Sequence, residues 1–107
     1  MKKALENRIK LANKYIQFAM DNDLMEVSDY FGSTSPTVMH FEKLIKVSKT
    51  GRIVTVSWKD GYDFRPYSEK FNTNNEDSVD ELKYIISGII RAVKKSARAE
   101  KGIVLKF

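Results

Sequence analysis

Apolar residues recur along this chain at two periods, and the change from one to the other predicts its layout. Over residues 2–22, Leu5, Ile9, Ala12, Ile16 and Ala19 fall at helical spacing. Leu11, Tyr15 and Phe18 widen that stripe, as suits a helix lying on a sheet. Asp21-Asn22-Asp23 interrupts it, and Asp23 is placed to cap a short second helix, Leu24–Phe31, closed by Gly32. Ser33-Thr34-Ser35-Pro36 reads as a turn.

From Val38 to Phe64 the period becomes two, broken by the turn signals Thr50-Gly51 and Asp60-Gly61. Loop length then decides which residues share a face. A two-residue Thr50-Gly51 loop pairs Val47 with Val54 and Ile45 with Val56, which joins two apolar sets; a three-residue loop would leave Trp58 wet. A three-residue Lys59-Asp60-Gly61 loop, with Gly61 left-handed, pairs Trp58 with Tyr62 and Val56 with Phe64. The core face predicted this way holds Met39, Phe41, Ile45, Val47, Val54, Val56, Trp58, Tyr62 and Phe64. The other face holds His40, Glu42, Leu44, Lys46, Thr55, Ser57, Asp63 and Arg65, and Pro66 ends the third strand or sets it at an edge.

Ser68–Glu76 is polar and reads as a surface loop. Ser78-Val79-Asp80-Glu81 matches a capping box opening the last helix, whose first turn is rich in acids. Leu82, Ile85, Ile86, Ile89, Ile90 and Val93 form its stripe, and Gly102 is its stop. Ile103–Phe107 is too apolar for a free tail, so it is expected as a short strand on the sheet edge or as a docked tail. The predicted fold is one α+β domain over residues 1–107. It is a two-layer sandwich with the long helices on one face of a three-stranded antiparallel meander, four-stranded if Ile103–Phe107 joins it. This helix–sheet–helix order is similar to that of the double-stranded-RNA-binding domain. That family opens its last helix on Lys-Lys-x-Ala-Lys, where this chain has Ser78-Val79-Asp80-Glu81.

Composition narrows the function classes. A length of 107 residues, 42% of them hydrophobic and 31% charged, suits one soluble globular core. The absence of cysteine excludes disulfides and thiolate metal sites and fits a reducing compartment. The start Met-Lys-Lys-Ala-Leu-Glu-Asn-Arg lacks the apolar segment of a signal peptide, and no apolar run approaches the ~20 residues that span a bilayer. The expectation is a cytoplasmic protein that does not enter membranes. With no glycine-rich phosphate loop and no metal-ligand spacing, no cofactor or metal is expected.

The net charge of +5 is unevenly spread: residues 2–14 carry +4, residues 91–107 carry +5, and the middle carries −4. On the last helix Arg91, Lys94, Lys95 and Arg98 fall close together at 100° per residue, with Tyr84 on the same side. A basic row beside an aromatic tracks phosphates and stacks a base; cations also simply complement a helix C-terminus. If the terminal helices pack side by side, Lys2, Lys3, Arg8, Lys10 and Lys14 join that surface. On the polar sheet face, Lys46, Thr55 and Arg65 are expected in one row and Glu42 beside Lys59, making Lys46, Arg65 and Lys59 a secondary surface. Only Tyr67 is placed to supply an exposed aromatic there, which disfavours base stacking on the sheet.

His40, the single histidine, stands near Glu42, and with Arg52 or Arg65 it is the nearest approach to an acid–base and phosphate-clamping set. No second histidine or carboxylate cluster supports it, so the protein is expected not to be an enzyme. The leading expectation is a small nucleic-acid-associated protein that grips DNA or RNA backbone through Arg91, Lys94, Lys95 and Arg98, with Tyr84 stacking. The alternative is a protein-binding modulator or inhibitor, of the accessory type carried by phages and plasmids, docking on a host enzyme or nucleic-acid machine, its basic surface meeting an acidic protein partner. An exposed Ile103–Phe107 edge would also allow a two-fold dimer.

Overall fold

The computed structural model describes residues 1–24, 27–29, 37–61, 63 and 65–107. Helices α1 (Lys3–Asp21) and α2 (Glu76–Lys101) lie on one face of an antiparallel sheet. Its strands are β1 (Val27–Asp29), β2 (Thr37–His40), β3 (Lys46–Val47), β4 (Ile53–Asp60) and β5 (Pro66–Asn72). β4 is the axis: β5 follows it along one side, while β2 and β3 share the other side end to end. The sheet is therefore four strands wide, and the expected two-layer α+β sandwich is what forms.

The interruption between β2 and β3 has a definite cause. From the pair His40–Lys59 to the pair Lys46–Thr55, one strand advances six residues and the other four. Two extra residues must therefore bulge out, and the backbone of Ile45 leaves the ladder. Asn13 of α1 meets it: the Ile45 N–H donates to Asn13 Oδ1 at 2.7 Å, and Asn13 Nδ2 donates to the Ile45 carbonyl at 3.1 Å. A side-chain amide thus stands in for a missing strand partner. The bulge still buries Phe41 and Ile45 in the core.

The first hairpin has the register that alternation predicts, Val47 opposite Val54, with Gly51 left-handed at φ 73°. Val47 itself, at the hairpin end, is 37% exposed rather than buried. The second hairpin differs. β4 continues to Asp60, and Trp58 pairs with Tyr67, Val56 with Glu69 and Val54 with Phe71. The turn is closed by aspartates: Asp63 N–H donates to Asp60 Oδ1 (3.2 Å) and Arg65 N–H to Asp63 Oδ1 (2.8 Å). Most of Ser68–Glu76 is consequently strand, and Phe71 takes the buried place opposite Val54. Gly61 is not left-handed; its N–H donates to the Val38 carbonyl at 3.2 Å, and a Cβ there would lie 2.4 Å from Val38 Cγ1. Pro66 opens β5 at the sheet edge, where a missing N–H is tolerated. Tyr62 and Phe64, expected in the core, lie outside the described residues, as does the turn Ser33–Pro36.

The short helix expected over Leu24–Phe31 does not form: Val27–Asp29 is strand β1, paired with β2, and the flanking residues 25, 26, 30 and 31 lie outside the described set. Asp23 is no helix N-cap; at φ 48° it ends α1, and the Leu24 N–H returns to the Ala19 carbonyl at 3.1 Å. Nor does Ser78 cap α2. Asn75 does, accepting from the Asp77 and Ser78 N–H groups at 2.9 and 3.2 Å, which places Ser78 within the first turn.

Both helices bury the stripes that their spacing predicts. They run parallel, because Arg8 donates to Ser87 and Lys94 covers the Tyr15 ring, and both pairs are 79 residues apart. Trp58 is half-buried against the core and stacked on Tyr67, with centroids 5.9 Å apart. Gly102 ends α2 in the left-handed conformation, and the tail turns back onto the helices. Leu105 packs on the core, and Phe107 meets Tyr15 edge-on at 5.0 Å. Ile103–Phe107 is therefore a docked tail. It is not a strand, and it offers no edge for pairing a second copy.

Candidate functional site

α2 buries Leu82, Ile85, Ile86, Ile89, Ala92, Val93, Ser96 and Ala97 and turns its charged side chains outward. Within two turns that outward side presents Arg91, Lys94, Lys95 and Arg98, which line one wall of a groove. The reversal at Gly102 supplies a facing wall. Ile103 and Leu105 are half-buried, which leaves Val104 between them outward and 66% exposed. The groove has a volume of about 830 Å³, with the four cations and Ala99 on one side and Ile103, Val104 and Leu105 on the other.

Arg91 and Arg98 are seven residues apart, so the cationic wall is about 10 Å long. The Lys94 ammonium sits 5.6 Å from the centre of the Tyr15 ring, a cation–π contact that holds it over the seam between the helices. Among the described residues, no salt bridge engages Lys95 or Arg98. The structure thus brings the four predicted cations together. Tyr84 is 55% exposed on the same line of α2, but it lies a further seven residues back and does not line the groove.

The secondary surface is rearranged by the register of β5. Lys46 faces Thr55 as expected, but the third member of that row is Lys70, not Arg65. Arg65 instead lies 3.6 Å from Asp63. Lys59 donates to Glu42 Oε1 at 2.8 Å, the pairing the sequence predicts. That hydrogen bond, above all, holds the Glu42 carboxyl below its ordinary value, and His40 and Lys43 add to the effect. His40 and Glu42 are neighbours, but Arg52 precedes β4 at the far end, seven residues from Lys59 or about 24 Å along the strand. The acid–base set with Arg52 is therefore not assembled.

Among the described residues, no group of three His, Cys, Asp or Glu side chains is placed to hold a metal ion, and no helix is long and apolar enough to cross a membrane.

Two parts of these surfaces escape sequence reasoning. The tail wall of the groove depends on the chain doubling back along α2, although Gly102 followed by an apolar run signals a reversal. Lys70 is hidden because its strand reads as a polar loop. Compared with known proteins, the chain matches no family model, no curated protein and no solved structure at a significant level.

Proposed function

We propose that this protein is a non-enzymatic nucleic-acid-binding protein that holds the phosphate backbone in the groove between α2 and its own tail. The observation that carries this is the convergence of Arg91, Lys94, Lys95 and Arg98 on one wall of a solvent-open groove. Two arginines provide forked donors suited to phosphate oxygens, and two lysines provide point charges. None of these groups reads a base edge from a helix face flanked by the tail, so binding is expected to be insensitive to sequence. Tyr84 lies outside the groove and is available only to a strand that extends past Arg91.

The test is fluorescence anisotropy with labelled DNA and RNA oligonucleotides over a range of salt. Wild-type affinity should fall linearly on a log–log plot against salt. Lys94→Glu/Lys95→Glu should weaken binding by at least about tenfold and flatten the salt slope by roughly one for each phosphate no longer neutralised. Unchanged affinity in that variant would rule the groove out as the binding surface. A second reading rests on the exposed Val104 beside those cations: an acidic protein segment with apolar residues, as a modulator or inhibitor would meet on its target. A stoichiometric protein complex that survives nuclease treatment, without oligonucleotide binding, would favour it.

A further inference from the structure

The outer face of the sheet is a different surface from the groove, and the fold gives it a cation, Lys70, that the sequence does not place there. Across it, Lys46 of β3, Thr55 of β4 and Lys70 of β5 form one row. Two interstrand spacings separate the lysines, about 10 Å. Two concavities of about 260 and 780 Å³ adjoin this row and share Lys43 and Ser57, so they make one trough across the strands. Its charged residues are Lys43, Lys46, Lys59 and Lys70 against Glu42, and Glu42 is already matched by Lys59 at 2.8 Å. The hydroxyls of Ser48, Thr55 and Ser57 lie among them.

We infer that this trough is a second nucleic-acid backbone site, so that one molecule bridges two polynucleotide segments; the inference rests on the proposed function of the groove. Lysines and hydroxyls on a shallow surface match phosphate and sugar oxygens, which dominate sequence-independent contacts. Four lysines against one matched glutamate favour a polyanion, because protein interfaces are depleted in lysine. Trp58 and Tyr67, stacked on each other at 5.9 Å, line the end of the trough beside Lys59, where an aromatic surface adjoins the phosphate-binding lysines. The groove lies in the helix layer and the trough on the far side of the sheet. The molecule is 24 Å across in its shortest dimension, so a short duplex held on one surface does not reach the other.

A bead-bound duplex, a fluorescent duplex of the same short length and the full chain test this. Wild-type protein is expected to carry the fluorescent duplex onto the beads. Lys46→Glu/Lys70→Glu should lose that capture by at least about tenfold while binding one duplex within about threefold of wild type, with an unaltered circular dichroism spectrum. Undiminished capture by that variant overturns the second site. Wild-type protein that binds one duplex but captures no second overturns it too, and leaves the groove standing. Absence of any duplex binding overturns both. Inorganic polyphosphate should compete for capture better than polyglutamate of equal charge, and the reverse order assigns the trough to an acidic protein and sinks the inference.

Discussion

Glu69 sits where alternation would place an apolar residue: opposite Val56, on the face of the sheet that the helices cover. Burial, and then the nearby Glu81 carboxylate, push its pKa above the ordinary 4.5. An acid whose folded-state value is raised holds its proton more tightly when folded than when unfolded. Its contribution to stability is therefore best at low pH and is lost as pH rises from 4.5 through the raised folded value. Glu69→Gln removes that loss. Thermal melts should show the variant more stable than wild type at about pH 7, with the two curves converging near about pH 4. A difference that does not change with pH would show that the carboxylate is well solvated in the fold. Glu69 is also the residue that makes the true register of β5 hard to read, because an inward-facing acid counts against it. Asn13 is the other such residue: nothing in a helical stripe announces that one polar side chain completes a strand bulge.

At the scale of elements, the legible parts were those where two independent signals agree. Both long helices have a stripe and a stop, and the first hairpin has one register that unites its apolar sets. The second hairpin has two registers that each place aromatics on the helix side of the sheet: Tyr62 with Phe64, or half-exposed Tyr67 with buried Phe71. Turn glycine favours the first, whereas the Asp60 and Asp63 side chains close the second. β1, three residues long, is shorter than any window that reveals alternation. For the site, helical spacing places the four cations together, but the groove needs the tail. Leu105 packs the tail on the core, and Phe107, half-exposed, adds edge-on contacts to Tyr15 at 5.0 Å and to Phe18 at 6.4 Å. Phe107→Ala should therefore lower stability by about 1–2 kcal/mol, since each aromatic pair contributes roughly 0.5–1.5 kcal/mol. The same variant should speed tryptic cleavage after Lys101 and Lys106. A variant with wild-type denaturation and wild-type proteolysis would mean that the tail is not anchored there.

At the scale of the whole molecule, folding sorts charge differently from the linear sequence. The middle of the chain is net negative, yet seven of its twelve acids lie at the start of α2, in the second turn and at Glu69, while Lys43, Lys46 and Lys70 reach the outer sheet face, where Glu42 is matched by Lys59. If location rather than net charge governs binding, two variants with the same change in charge must behave differently. Lys2→Glu/Lys3→Glu and Lys94→Glu/Lys95→Glu both take the formal charge from +5 to +1. The helices run parallel with an offset of 79 residues, so Lys3 lies level with Leu82 of α2, nine residues before Arg91. That is about 13 Å from the near end of the groove and further from Lys94 and Lys95. The Debye length at 0.15 M salt is about 8 Å, so the terminal lysines are largely screened from a phosphate in the groove. Lys2→Glu/Lys3→Glu should keep oligonucleotide affinity within about threefold of wild type at that salt, where the groove variant loses about tenfold or more. Equal losses in the two variants would reduce the groove to one part of a diffuse positive field.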